Sequence, residues 1–256
     1  MTEDIKSEPT RDIVSYKFEF DSLPFERILE GFRRRKILEI LGKLDPLTDN
    51  QILEIGPGYN ALSMDLFVGA QVTMIEPSKP LFEHNLLILK DNRYARVLHL
   101  DIQDFVALEP NAKFDLVILS SVLHEFLDPR KELQRICSVM ISGGSLILVV
   151  PNNQSVHRLF GVTMGILPST DSQTETERIM QQNTNFSVSS LSALVSDVGF
   201  EISFCTTHFV KPHTHSQMQS WVDSGVLSND RLEDFYNMSE LFHPFNAEIF
   251  MLVVKK

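Results

Sequence analysis

The chain is poor in cysteine. Cys137 and Cys205 are its only two, with neither the spacing of a disulfide framework nor the paired spacing of a zinc site. Both are expected to be reduced packing residues. It also has no apolar run near the ~20 residues that a membrane-spanning helix needs. The amino terminus, MTEDIKSEPTRD, lacks the apolar centre of a secretory signal, so a cytoplasmic location is expected. Basic residues are outnumbered: 23 Lys and Arg face 34 Asp and Glu, a formal net charge of −11. Such a charge repels polyanions and argues against a nucleic-acid partner. There is no internal repeat and no low-complexity segment. With 256 residues the chain can close one large core, burying roughly 75% of the surface of its unfolded form.

The stretch Gln51 to Tyr59, QILEIGPGY, organises what is present. Ile52, Leu53 and Ile55 suit a short buried parallel strand. Gly56 and Gly58 then let the backbone turn sharply and approach a ligand, since neither has a Cβ. Beyond them Leu62, Leu66 and Phe67 recur at helical spacing. Strand, glycine turn and helix form the ligand-facing corner of a doubly wound α/β sheet. GPGYNA also fits the dinucleotide fingerprint with alanine in the third glycine position, which keeps a nicotinamide-dependent oxidoreductase open. A second strand, Gln71 to Ile75, ends at Glu76, where a carboxylate can accept a ribose diol. A third apolar run ends at Asp101-Ile102, an acid and an aliphatic side chain suited to an adenine edge and face. The fourth, FDLVILS, delivers Ser120, Ser121 and then His124 to the same sheet edge.

These four segments together resemble the class I S-adenosylmethionine-dependent methyltransferases. LEIGPG is similar to their first motif, IEPS to their acidic second-strand end, LDIQDF to their adenine-side acid, and FDLVILSSVLHEFLDP to their fourth strand and following helix. The resemblance covers Ile52 to Pro151 and extends more loosely beyond. It implies an α/β, Rossmann-like, doubly wound seven-stranded sheet in the order 3-2-1-4-5-7-6, the last strand antiparallel. It implies S-adenosyl-L-methionine as methyl donor and S-adenosyl-L-homocysteine as product. Cofactor contacts then fall to Glu54, Gly56, Gly58, Glu76, Pro77, Asp101, Ile102 and Ser120, with Tyr16 as an aromatic cap from the amino-terminal segment. Asn60 and Ala61 after Gly58 depart from the commonest form of the first motif. The segments NNQSVHRLFG, KPHTHSQM and EIFMLVV are similar to bacterial methyltransferases of surface-polysaccharide and natural-product pathways.

Residues 1–44 are expected to form a tail and helical cap, and 45–256 the catalytic domain, with insertions near 152–185 and 211–246. In the cap, Phe25, Ile28, Leu29 and Phe32 form one stripe behind Asp21 or Ser22 as helix cap. The run Arg33 to Lys36 is expected to be a solvated or ion-paired face. A second apolar set continues to Gly42. After the fourth strand a helix spans Arg130 to Met140 and stops at Gly143-Gly144, before a fifth strand from Ser145 to Val150. Phe186 begins a capped helix that Gly199 ends, and Phe200 to Val210 is the sixth strand.

A hydroxyl acceptor needs a base, and histidine has a suitable pKa. His124 and His157 are the candidates, each also readable as a structural residue. Asn152, Arg158, Lys211 and His213 are candidates to bind the acceptor, a small or carrier-linked molecule such as a sugar or glycan precursor. Arg158 could instead be ion-paired. His213 and His215 lack a matching third ligand, so no metal is expected. O-methylation is the leading expectation. N-methylation and a non-catalytic methyltransferase-like partner subunit are the alternatives. The sequence leaves the oligomeric state open, a dimer included.

Overall fold

The computed structural model describes residues 23–44, 50–65 and 69–256. One seven-stranded sheet runs in the order β3-β2-β1-β4-β5-β7-β6. Its strands are β1 (Gln51–Ile55), β2 (Gln71–Ile75), β3 (Ala95–Leu98), β4 (Phe114–Ser120), β5 (Met140–Pro151), β6 (Phe200–His208) and β7 (Glu248–Lys255). The first five are parallel, while β7 runs antiparallel between β5 and β6. Alternate side chains feed opposite faces. Leu53, Ile55, Val117, Leu119, Leu146 and Leu148 join one buried cluster, and Ile52, Leu116, Ile118, Ile147 and Val149 the other. Two covered faces explain why these strands read as continuous apolar runs rather than alternating ones.

The first face is covered by α3 (Ile102–Leu108), α4 (Pro129–Ser138) and α7 (Val188–Val198). Ser187 and Ser190 cap α7 reciprocally, and Gly199, at φ 102°, ends it in the left-handed region. The second face receives Ile37, Ile40 and Leu41 from α1 (Pro24–Leu41), while α2 (Lys79–Leu89) adds Leu89. The other end of α1 packs Phe25 and Leu29 against Phe209, Met218, Leu232 and Tyr236. These last residues belong to or flank α8 (His215–Asp223) and α9 (Asn229–Asn237) in the insertion after β6. One apolar seam thus joins the cap helix to that insertion, above the carboxyl edge of the sheet.

Several local expectations change. The segment after Gly58 makes a 3-10 turn, Leu62–Asp65, and Leu66 and Phe67 lie outside the described residues. Gly143 and Gly144 lie inside β5 instead of ending a helix; α4 stops at Ser138, and the paired edge of β4 draws Met140 into the ladder. The cap position of α1 is Leu23 with no side-chain bond, and Pro24 supplies the fixed φ of the first turn. Asp21 and Ser22 lie outside the described residues, as does Tyr16.

Candidate active site: two cavities sharing one wall

The first cavity, of about 160 Å³, lies at the carboxyl ends of β1, β2 and β4. Glu54, Gly56, Gly58, Glu76, Pro77, Asp101, Ile102 and Ser120 all line it. Gly56 and Gly58 have φ of 65° and 62°. A Cβ on Gly56 would meet Val122 Cγ2 at 2.9 Å, whereas beside Gly58 there is open space. The buried Glu76 carboxylate accepts the amides of Ser78 (2.9 Å) and Gly58 (3.3 Å), so it braces the glycine turn against the end of β2. Ser78, which lines the cavity, has its Oγ buried with no hydrogen-bond partner. Asp101 Oδ1 caps α3 by accepting Asp104 N at 2.8 Å. Glu54 is more committed than its expected role implies. Its Oε1 accepts Leu62 N (2.7 Å), and Oε2 accepts Ser63 N (3.0 Å) and the Ser63 hydroxyl, which builds the 3-10 turn. Burial raises its pKa despite those bonds.

The second cavity is larger, about 410 Å³, and is roofed by the two insertions and α1. Arg33, Ser121 and Glu125 line both cavities and form the wall between them. Ser121 turns there with φ 60°, in the left-handed region a serine rarely adopts, held by its amide on Val149 O (2.8 Å). Arg33 is buried and gives Nε to Glu248 Oε1 (2.6 Å) and an amine to Glu26 Oε1 (2.5 Å). Burial pushes Glu248 up to about 7 although Arg33 opposes it. Burial also raises Glu26, but Arg33 and His215 outweigh it and the net shift is downward. Lys211, which lines the second cavity alone, is buried, and its ammonium is pulled down to about 8 by burial against the attraction of Glu26 and Glu248. His157 is half-buried beside it, with Nδ1 3.0 Å from Ser155 Oγ. Burial, then Lys211, hold its pKa well below the usual histidine value.

A model described as a methyltransferase domain matches residues 25–203. The chain belongs to the methyltransferase domain family. No curated protein matches its sequence. Solved structures share the fold at low identity. The CurJ carbon methyltransferase has 15% identity and a TM-score of 0.52, over 85% of this chain and 51% of that one, so the chain spans about half of that protein. The methyltransferase in the complex with the Haloferax volcanii Trm112 methyltransferase activator gives 13% and 0.62, over 96% and 99%. The N-methyltransferase NodS of Bradyrhizobium japonicum gives 13% and 0.55, over 92% and 98%. The sheet order and the antiparallel β7 are those of the class I methyltransferase fold.

In this methyltransferase the residues expected to bind the acceptor or catalyse, Asn152, His157, Arg158, Lys211, His213 and His124, all line the second cavity. Their surroundings separate them. Arg158 directs Nε to Thr170 O (2.9 Å), one amine to Ser172 O (2.6 Å) and the other to Glu177, so its guanidinium is spent on holding the loop between α5 (Val156–Thr163) and α6 (Glu175–Ile179). Asn152 likewise donates to Pro244 O and Asn246 O, both at 2.8 Å, and ties the two insertions together. His124 is buried, and its carbonyl accepts the amides of Asn183 and Thr184. His213 packs edge-on to Trp221. The basic run divides: Arg35 and Lys36 pair at the surface with Glu233 and Glu39, while Arg33 enters the site. Its signal was in the spacing, since Arg33 lies four residues from both Leu29 and Ile37 on the buried stripe of α1. Glu248 was likewise a lone acid at the head of an apolar strand. Among the described residues no group of three or more His, Cys, Asp and Glu side chains could hold a metal. No helix among them is long and apolar enough to cross a membrane.

Proposed function

We propose that this protein transfers a methyl group from S-adenosylmethionine to a hydroxyl of a small or carrier-linked acceptor seated in the second cavity. The observation that carries this is the shared wall of Arg33, Ser121 and Glu125, across which a donor in one cavity can meet an acceptor in the other. Bound there, S-adenosylmethionine supplies a methyl already made electrophilic by its sulfonium, so alignment and dehydration are the protein's main tasks.

The first cavity fits that group. The Glu76 carboxylate, buried at the end of β2 where it accepts the Gly58 and Ser78 amides, is the acceptor proposed for a ribose diol. Asp101 keeps one oxygen for an adenine amino group after capping α3, and Ile102 offers the ring a face. The open space at Gly58 admits the methionyl part, and Glu54 acts on that end through the turn it holds.

His157 is the base. In the tautomer that donates Nδ1–H to Ser155 Oγ, 3.0 Å away, Nε2 carries the lone pair that takes the proton the hydroxyl releases, and burial, with Lys211, keeps the ring neutral for that task. His124, more deeply buried, is the second candidate.

Calorimetric titration with S-adenosylhomocysteine and, separately, with a nicotinamide dinucleotide tests the cofactor assignment. Micromolar binding of the first alone is expected. Binding of the dinucleotide instead would overturn the reading in favour of an oxidoreductase. An amine acceptor would show itself by methyl transfer that survives both His157→Ala and His124→Ala.

A further inference from the structure

We infer that the acceptor is a monocarboxylate with an apolar body, its carboxylate seated on Lys211 and its body against Phe160, Met164, Ile166 and Leu167. This rests on the second cavity being the acceptor site. Lys211 is 4% exposed and lines that cavity. Among the described residues its ammonium makes no hydrogen bond and no ion pair within 4.0 Å. A buried ammonium has three donors to satisfy, and leaving a charge unpaired away from water is costly. The nearby carboxylates are already committed: Arg33 holds Glu26 and Glu248, and Arg158 holds Glu177. Two more polar atoms, on residues that line the same cavity, are buried with no hydrogen-bond partner: His215 Nδ1 and Asn153 Oδ1. A ligand carboxylate accepts from the ammonium and so satisfies it.

The other charges of the cavity leave room for one negative group rather than two. Arg33 lies between Glu26 and Glu248, Arg158 holds Glu177, and Glu125 adds a further acid to the wall. A phosphate ester carrying about −1.5 to −2 would crowd these carboxylates, while a single carboxylate can sit on Lys211. The mouth of the cavity is apolar. Phe160, Met164 and Ile166 are 48%, 71% and 69% exposed, although the chain places most large apolar side chains in its cores. They are held together there because the Ile166 and Leu167 amides both fold back onto Gly161 O, at 2.8 and 3.0 Å. A Cβ on Gly161 would press on Leu167 Cδ1 at 3.0 Å, so the glycine sets how closely this lip folds. A charged head against the floor and an apolar body along the lip use both ends of the cavity. A nucleotide sugar would set a diphosphate among Glu26, Glu248 and Glu177 and leave the lip wet.

The test titrates hydroxydecanoate, its primary amide, hydroxybutyrate and uridine diphosphate glucose into the whole protein saturated with S-adenosylhomocysteine. Hydroxydecanoate should bind at least tenfold more tightly than its amide and than hydroxybutyrate. Lys211→Met should erase the preference for acid over amide while leaving the S-adenosylhomocysteine affinity unchanged. Equal binding of acid and amide, a preference that persists in Lys211→Met, or tighter binding of the nucleotide sugar would each overturn the proposal. The acid and amide comparison uses the natural chain, so it decides even if Lys211→Met does not fold. Met164→Glu, at an exposed position, then gives a second reading by weakening the acid more than the amide. Absence of S-adenosylhomocysteine binding would be a failure of the cofactor assignment alone, and the same four titrations without it would still decide the carboxylate.

Discussion

The two cavities on either side of Ser121 are built by opposite means. The smaller one is made from strand ends and backbone: glycine turns, and acids that accept backbone amides no more than 18 residues away. The larger one is made from side chains brought together across the chain, Arg33 meeting Glu248 over a separation of 215 residues. A backbone-built site requires particular residues at particular turns, so its chemistry is tied to one ligand. A side-chain-built site on insertions can change its ligand by substitution without disturbing the sheet. The difference implies that damage should sort by cavity, with donor binding lost on one side and transfer lost on the other.

The largest expected effect tests that sorting directly. His157→Ala should lower kcat by about 10²- to 10⁴-fold, the usual range for a lost general base, and leave S-adenosylhomocysteine affinity intact. Wild-type turnover would move the base to His124. Glu76→Ala should do the reverse. It removes an ionised acceptor of ribose hydroxyls and frees the Gly58 and Ser78 amides, so donor affinity should fall by about 100-fold, at roughly 1.5–3 kcal/mol per charged hydrogen bond. Calorimetry should find hydroxydecanoate binding unchanged in the same variant.

Arg33→Met attacks the wall that both cavities share. It leaves Glu26 and Glu248 without their cation, and loss of one partner of a buried pair costs about 3–5 kcal/mol. A lowered Tm with weakened binding on both sides is expected; a loss confined to one cavity would mean that Arg33 serves only that side. The pH dependence of turnover sharpens the same comparison. His157 must be neutral to act, and its depressed pKa keeps it so as the pH falls. The acid limb should therefore lie well below the pH of about 6.5 expected for an unperturbed histidine. Burial sets most of that depression and Lys211 adds to it; Arg158, His213 and His215 also face His157, with Glu26, Glu248 and Glu177 in the same cavity. Lys211→Met should move the limb upward.

What the sequence revealed follows from how each cavity is made. Glu54, Gly56, Gly58, Glu76 and Asp101 each stand at the end of a short apolar run, where strand-to-helix geometry fixes their direction. The resemblance could therefore assign them, and they line one cavity. The partners in the other cavity depend on how two insertions and a helix fold over the sheet, which no local period encodes. Arg158 was legible as a functional type but not as the loop anchor it is, since Thr170, Ser172 and Glu177 reach it only after the insertion closes. Arg33 hid among three other cations, and only its place on the stripe with Leu29 and Ile37 set it apart. Gly143-Gly144 misled for a different reason: pairing of Phe114 with Met140 draws the strand past a signal that ordinarily ends a helix.

The smallest effect separates two functions of a single side chain. Asp101 uses Oδ1 to cap α3, and its other oxygen is the one assigned to adenine. Asparagine caps a helix about as well as aspartate, so Asp101→Asn should leave Tm unchanged. With its carbonyl oxygen on the Asp104 amide, however, it would turn an amide NH₂ toward the amino group of adenine, donor against donor. Affinity for S-adenosylhomocysteine should then fall by about tenfold, the weight of one hydrogen bond of ~1.4 kcal/mol. Asp101→Ala should show the same loss of affinity together with about 1 kcal/mol of lost stability from the missing cap. If Asp101→Asn binds the cofactor as tightly as the natural chain, Asp101 is a helix cap and the adenine edge is held elsewhere on the wall of that cavity.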